Sequence, residues 1–162
     1  MGSGYRGNFG STKGSTSVAA NESDSKSTHS IVKEAKEEIK RIAKQAPLKI
    51  PKNATYEVKA KKGYNQIKYK YRKNNSEYEV RWHTQTPNAP EGTGNTYQVT
   101  RKIKGKGYGK DASRKVLDHM IKYPSGKIKW VSDSTYQDAI RNKRNGTATK
   151  REREMIKYGH IQ

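Results

Sequence analysis

Cysteine is absent from the 162 residues, which excludes disulfides and thiolate metal sites and leaves the redox compartment open. Phenylalanine occurs once and only 30% of residues are hydrophobic, so the core of this single-domain-sized chain is modest. No apolar run approaches the ~18 residues of a membrane span. The first residues lack the apolar core of a secretion signal. No basic amphipathic helix with bulky anchors stands out, so a membrane surface is not an expected partner. The HExxH, HxH and CxxC spacings are missing too, and neither a dedicated zinc site nor any other cofactor is expected.

What is present is positive charge. Lys and Arg number 35 against 15 Asp and Glu, a formal net charge of +20. In the first thirty residues Arg6, Lys13 and Lys26 face Glu22 and Asp24, a net +1, so +19 lies on the rest. Self-repulsion of that size disfavours a compact chain unless a polyanion or an acidic protein offsets it. Nucleic acid is the expected partner, against the plainer reading of a merely solubilising surface. Eleven tyrosines and two tryptophans supply apolar bodies with polar tips.

Residues 1–30, rich in Gly, Ser, Thr and Asn, have the composition of a disordered tail or linker. Ile31, Ala35, Ile39, Ile42 and Ala46 then recur on one helical face, with Ser30 as N-cap and Pro47 as the stop. From Leu48 to Ile103 the period is two: Tyr56, Val58, Ala60; Ile67, Tyr69, Tyr71; Tyr78, Val80, Trp82; Tyr97, Val99. Short Gly- and Asn-bearing gaps join these strands as hairpins, and Thr84–Asn95 reads as an ordered loop. Residues 112–123 read as a short helix, followed by a fifth strand at Ile128–Val131. A helix capped by Ser132 or Asp133 ends at Gly146, and Thr149 opens a last one through Tyr158. The expected fold is therefore α+β: an N-terminal helix, an antiparallel sheet of four to five strands, and short C-terminal helices. It forms one domain over 31–162, expected to be monomeric when free.

Strand alternation sets Glu77, Glu79, Arg81 and His83 opposite Tyr78, Val80 and Trp82. An antiparallel neighbour at 96–102 adds Gln98, Thr100 and Lys102 to that face, and the preceding strand adds Lys68 and Lys70. Metal-free RNA cleavage needs a base for the 2′-hydroxyl, an acid for the leaving oxygen and cations for the phosphorane. Glu79 or His83 suits the proton transfers and Arg81 can fork onto phosphate. The plainer reading is a solvated strand face whose charges neutralise their neighbours. His29 lies in the tail. His119 beside Asp118 reads as structural, and His160 is placed to fold back onto the sheet. The basic glycine-rich run with Lys104, Lys106 and Lys110 is a phosphate-contacting loop or a hairpin connection, not a P-loop. Tyr69 and Tyr71, on the face away from the lysines, read as core and not as a base-stacking platform.

Several features together resemble the C-terminal toxin domains of bacterial polymorphic toxins of the LXG type. They are Arg81-Trp82-His83, the Pro/Gly loop, Gly94-Asn95-Thr96-Tyr97 running into Val99 and Arg101, Trp130, Tyr136, Ala139, Gly146-Thr147-Ala148-Thr149 and Gly159-His160. The resemblance covers roughly residues 50–162. It implies a barnase/RelE-like nuclease: helices, then a four-stranded antiparallel sheet whose exposed face cuts RNA. It points to His83, Arg81, Thr96, Arg101 and His160, although Arg101 falls in phase with Tyr97 and Val99. It also implies non-classical secretion, action in the cytoplasm of a competitor cell, and a small acidic immunity protein as partner. A metal-dependent DNase and a non-catalytic nucleic-acid-binding module remain the alternatives.

Overall fold

The computed structural model describes residues 25–87, 92–104 and 115–162. Helix α1 (Ser25–Lys44) precedes β1 (Thr55–Lys61), β2 (Tyr64–Lys73), β3 (Ser76–His83), β4 (Thr96–Lys104), β5 (Lys115–Lys122) and β6 (Ile128–Ser132). Helices α2 (Asp133–Arg144) and α3 (Lys150–Gly159) close the chain. The strands form one antiparallel sheet in sequence order, β1 to β6. A meander of this kind needs only short reversals. Asn74 and Asn75 make the β2–β3 turn with φ of 51° and 64°, the left-handed pair a two-residue hairpin demands and asparagine tolerates.

The chain divides into two compact units. The first takes the described residues up to Tyr71 together with Arg81–Thr96. Here the helical stripe read from sequence is the buried one: Ala35, Ile39 and Ile42 are all core. The Tyr69 hydroxyl donates to the Ile39 carbonyl at 2.7 Å, so the ring packs inward while its oxygen satisfies a helix carbonyl. Val58 and Ile67, directly opposite in the β1–β2 register, are each 1% exposed.

The second unit comprises Arg72–Val80 and Tyr97–Gln162. Ile121 and Val131 from neighbouring strands meet Tyr136 of α2 in its core, with Ile140, Met155 and Tyr158 against them. The Ser132 hydroxyl caps α2 by accepting from the Thr135 amide, and Thr149 with Glu152 forms a capping box on α3.

Two expectations are corrected. The helix expected over 112–123 is, in its described part, a strand: Lys115–Lys122 is β5, antiparallel to both β4 and β6. The alternation is hidden because Asp118, His119, Met120 and Ile121 are all buried, and a strand covered on both faces loses its polar period. Ser30 is not the N-cap of the first helix, which begins at Ser25. The polar Ser25–Ser30 segment that reads as tail is helical, since small hydroxyl residues weaken a helix without forbidding it.

Candidate functional site

In the second unit the site residues are assembled by the C-terminus. Gly159 ends α3 against Tyr136: a Cβ there would stand 2.8 Å from the Tyr136 hydroxyl and 3.2 Å from Ile121 Cδ1. Only glycine allows so close an approach. Two residues on, Ile161 exchanges backbone hydrogen bonds with Tyr97 at 2.6 and 2.8 Å, beyond the last β4–β5 pair at Thr100 and His119. The chain end is thereby stitched to β4, and His160 is brought beside Gln98.

His160 is half-buried. Its Nδ1 is 2.7 Å from the Ile156 carbonyl and its Nε2 is 3.1 Å from Nε2 of Gln98. A carbonyl only accepts and an amide nitrogen only donates. The neutral ring that satisfies both neighbours therefore carries its proton on Nδ1 and its lone pair on Nε2. The result is a half-exposed imidazole whose Nδ1–H is held by a backbone carbonyl and whose Nε2 lone pair accepts from the Gln98 amide.

The rest of β4 departs from the expected open polar face. Thr96 and Thr100 are 1% and 5% exposed, so neither is available to a large ligand. Thr100 pairs with His119, and His119 lies stacked on Tyr136 of α2 with Nε2 2.7 Å from Asp133 Oδ1. The helices thus cover that face of the unit, which alternation within the strand could not foretell. Arg101 takes the core phase of Tyr97 and Val99, as its register required. Its guanidinium stands 3.9 Å over the Trp130 ring, with Nη2 3.6 Å from Asp118 Oδ2. That pairing makes Arg101 a packing element and leaves little of it for phosphate. Glu79 is half-buried and Lys102 exposed.

In the first unit, His83 ends β3 with its ring edge-on to Tyr64, centroids 6.0 Å apart, and Nδ1 3.3 Å from the Thr84 carbonyl. His83 and Arg81 are half-buried, Lys68 likewise, and Lys70 is exposed. Residues 88–91 of the loop expected over Thr84–Asn95 lie outside the described residues, and the residues flanking them are hydrogen-bonded. Thr84 accepts from the Asn65 amide on its hydroxyl and donates its own amide to the Asn65 carbonyl, and the Gln85 side chain accepts from the Gly94 amide. Pro87 closes over Gly63, whose Cβ, if present, would lie 2.6 Å from the proline ring.

Lys106 and Lys110 lie outside the described residues, as does the side chain of Lys104. Sequence reasoning missed the His119–Asp133 pair, for which a histidine and an aspartate fourteen positions apart give no signal. It also missed the role of Gln98 toward His160. Among the described residues no three His, Asp or Glu side chains form a metal-binding group, and no described helix is long and apolar enough to cross a membrane. No protein-family model, curated protein or solved structure matches this chain.

Proposed function

We propose that this chain is a toxin-type ribonuclease that cleaves RNA without a resident metal ion. The carrying observation is His160, whose Nδ1–H is committed to the Ile156 carbonyl while Nε2 faces the Gln98 amide. In the proposed reaction a bound 2′-hydroxyl displaces the Gln98 amide from Nε2 and passes its proton to that nitrogen. The 2′-oxygen bonds to phosphorus, the bond to the 5′-oxygen breaks, and that oxygen takes a proton from water, whose hydroxide recovers the proton held on the imidazolium. The products are a 2′,3′-cyclic phosphate and a 5′-hydroxyl end. Until the hydroxyl binds, Gln98 holds the imidazole in register, and the net charge of +20 draws in the polyanion.

A second placement of the same chemistry rests on Arg81 and His83. They share one side of β3 by alternation and are half-exposed, so a histidine for proton transfer and a guanidinium for phosphate oxygens stand on one strand. The resemblance to LXG-type toxin domains supports either placement. It adds delivery into a competing bacterium's cytoplasm and a small acidic immunity protein as partner.

The test incubates the purified chain with total RNA and plasmid DNA, with and without EDTA, beside His160→Ala and His83→Ala. RNA loss that survives EDTA and falls roughly 10²–10⁴-fold in His160→Ala supports the reading. The same fall in His83→Ala alone moves the site to β3. Metal-dependent loss of DNA, or salt-sensitive binding without cleavage, overturns it.

A further inference from the structure

The turn joining α2 to α3 is rigid, and it is built in three steps. The Thr147 amide donates to the Asn142 carbonyl at 2.8 Å and the Gly146 amide to the Lys143 carbonyl at 3.1 Å. With Gly146 at φ +78°, this is a Schellman stop. The capping box then starts α3 at Thr149. Finally Glu152 bridges the two helices: Oε1 accepts from the Thr149 amide at 3.0 Å and Oε2 from the Asn142 side-chain amide at 2.7 Å. Both carboxylate oxygens are thus engaged within the turn.

Around this frame stand Lys143, Arg144, Lys150, Arg151 and Arg153, all exposed. Arg153 reaches back to donate to the Ala148 carbonyl; none of the others is in an ion pair among the described residues. Asn145, Gly146 and Thr147 between them are exposed as well, and a Cβ on Gly146 would meet nothing within 4 Å. Cations, an amide, a hydroxyl and open backbone are the groups that bind phosphate and sugar. The core of a protein–protein interface instead needs aromatic and apolar anchors, and from Lys143 to Arg151 the only apolar side chain is Ala148. A strand of polynucleotide fits this tip better than an acidic protein does.

We propose that the α2–α3 tip is a sequence-independent grip for the phosphate backbone of a single-stranded polynucleotide, and that the strand runs from it along α3 toward His160. The ten residues of α3 span about 15 Å at ~1.5 Å per residue, with exposed Lys157 on the way. Because the backbone of the turn is already hydrogen-bonded, the ordering cost when phosphate arrives falls on the lysine and arginine side chains alone. The proposal rests on the reading of the chain as nucleic-acid-directed, and extends it by assigning substrate binding to residues apart from the proton-transfer group.

The test measures binding of a fluorescein-labelled 2′-O-methyl oligouridylate, which cannot be cleaved through its 2′-oxygen, to the full chain by anisotropy over a salt series. The variant Lys143→Ala/Arg144→Ala/Lys150→Ala/Arg151→Ala is compared with Lys40→Ala/Lys44→Ala/Lys52→Ala/Lys62→Ala, which removes equal charge elsewhere. The tip variant is expected to bind at least tenfold more weakly than the control. Its salt slope should fall by about 3, at ~0.7 for each phosphate no longer neutralised. Acetylation of wild-type chain with sulfo-NHS-acetate, which needs no variant to fold, should find Lys143 and Lys150 protected by the probe and Lys40 and Lys44 not. Equal binding by the two variants, or unprotected tip lysines, overturns the proposal. Because the probe is inert, tight binding at the tip by a chain that cuts no RNA would sink the nuclease reading and leave the grip standing.

Discussion

The imidazole of His119 lies almost flat on the ring of Tyr136, centroids 4.3 Å apart and planes 13° from parallel. The same imidazole reaches Asp133 at the first turn of α2, so one buried strand residue fixes both the height and the rotation of that helix. His119→Phe keeps the stack but loses the hydrogen bond to a carboxylate, a cost of about 1.5–3 kcal/mol. His119→Ala loses the stack as well, for a further ~0.5–1.5 kcal/mol. Urea unfolding followed by circular dichroism should rank wild type above His119→Phe above His119→Ala. Equal stabilities for the two variants would show the stack to be idle.

Gly159 presses on the other edge of Tyr136. Gly159→Ala places a Cβ 2.8 Å from the hydroxyl and 2.9 Å from Cε2 of a ring that is 2% exposed. Overpacking of this kind costs about 1–3 kcal/mol. The substitution should lower the melting temperature and, by displacing His160, reduce RNA cleavage more than binding.

Arg101 and Asp118 provide a test of packing against catalysis. Arg101→Ala strands a carboxylate in a residue that is 7% exposed and uncovers Trp130. Breaking such a pair costs about 3 kcal/mol, the lower end for buried pairs because part of Arg101 reaches solvent. Arg101→Met/Asp118→Asn should recover most of that stability, and RNA cleavage with it. Recovery of stability without activity would return Arg101 to the catalytic machinery.

Glu152 carries a pH signature. The Thr149 amide, and after it the Asn142 side chain, hold its carboxyl below the usual 4.5. The folded chain therefore prefers the ionised form more than the unfolded chain does. The stabilisation is complete above the unfolded value and fades as pH falls through the lowered folded value. Glu152→Gln should melt below wild type at neutral pH, and the gap should close in acid. A gap that stays constant with pH would mean the carboxylate charge is immaterial.

Much of the fold was legible in the residues. The stripe Ala35–Ile39–Ile42 is the buried face of α1, the period-two runs are β1 to β4, and Ser132 and Thr149 cap the helices they precede. Tyr69 and Tyr71 are core, as their phase against the lysines required. The candidate site was legible only in part. The position of His160 after the last helix is compatible with folding back, but Gln98 as its neighbour follows from the Ile161–Tyr97 bridge. That bridge joins positions sixty-four apart by backbone alone, so no side-chain pattern announces it.

Composition and periodicity by themselves determined the charge, the strands with one wet face, and the caps that start α2 and α3, because these depend on each residue and its near neighbours. Tertiary structure alone decided which face of β5 lies under α2 and α3. It thereby buried Thr100 and His119, gave Arg101 to Trp130, and set the last histidine beside an amide. A strand records that its two faces differ, but what covers each face is chosen by elements distant in the chain.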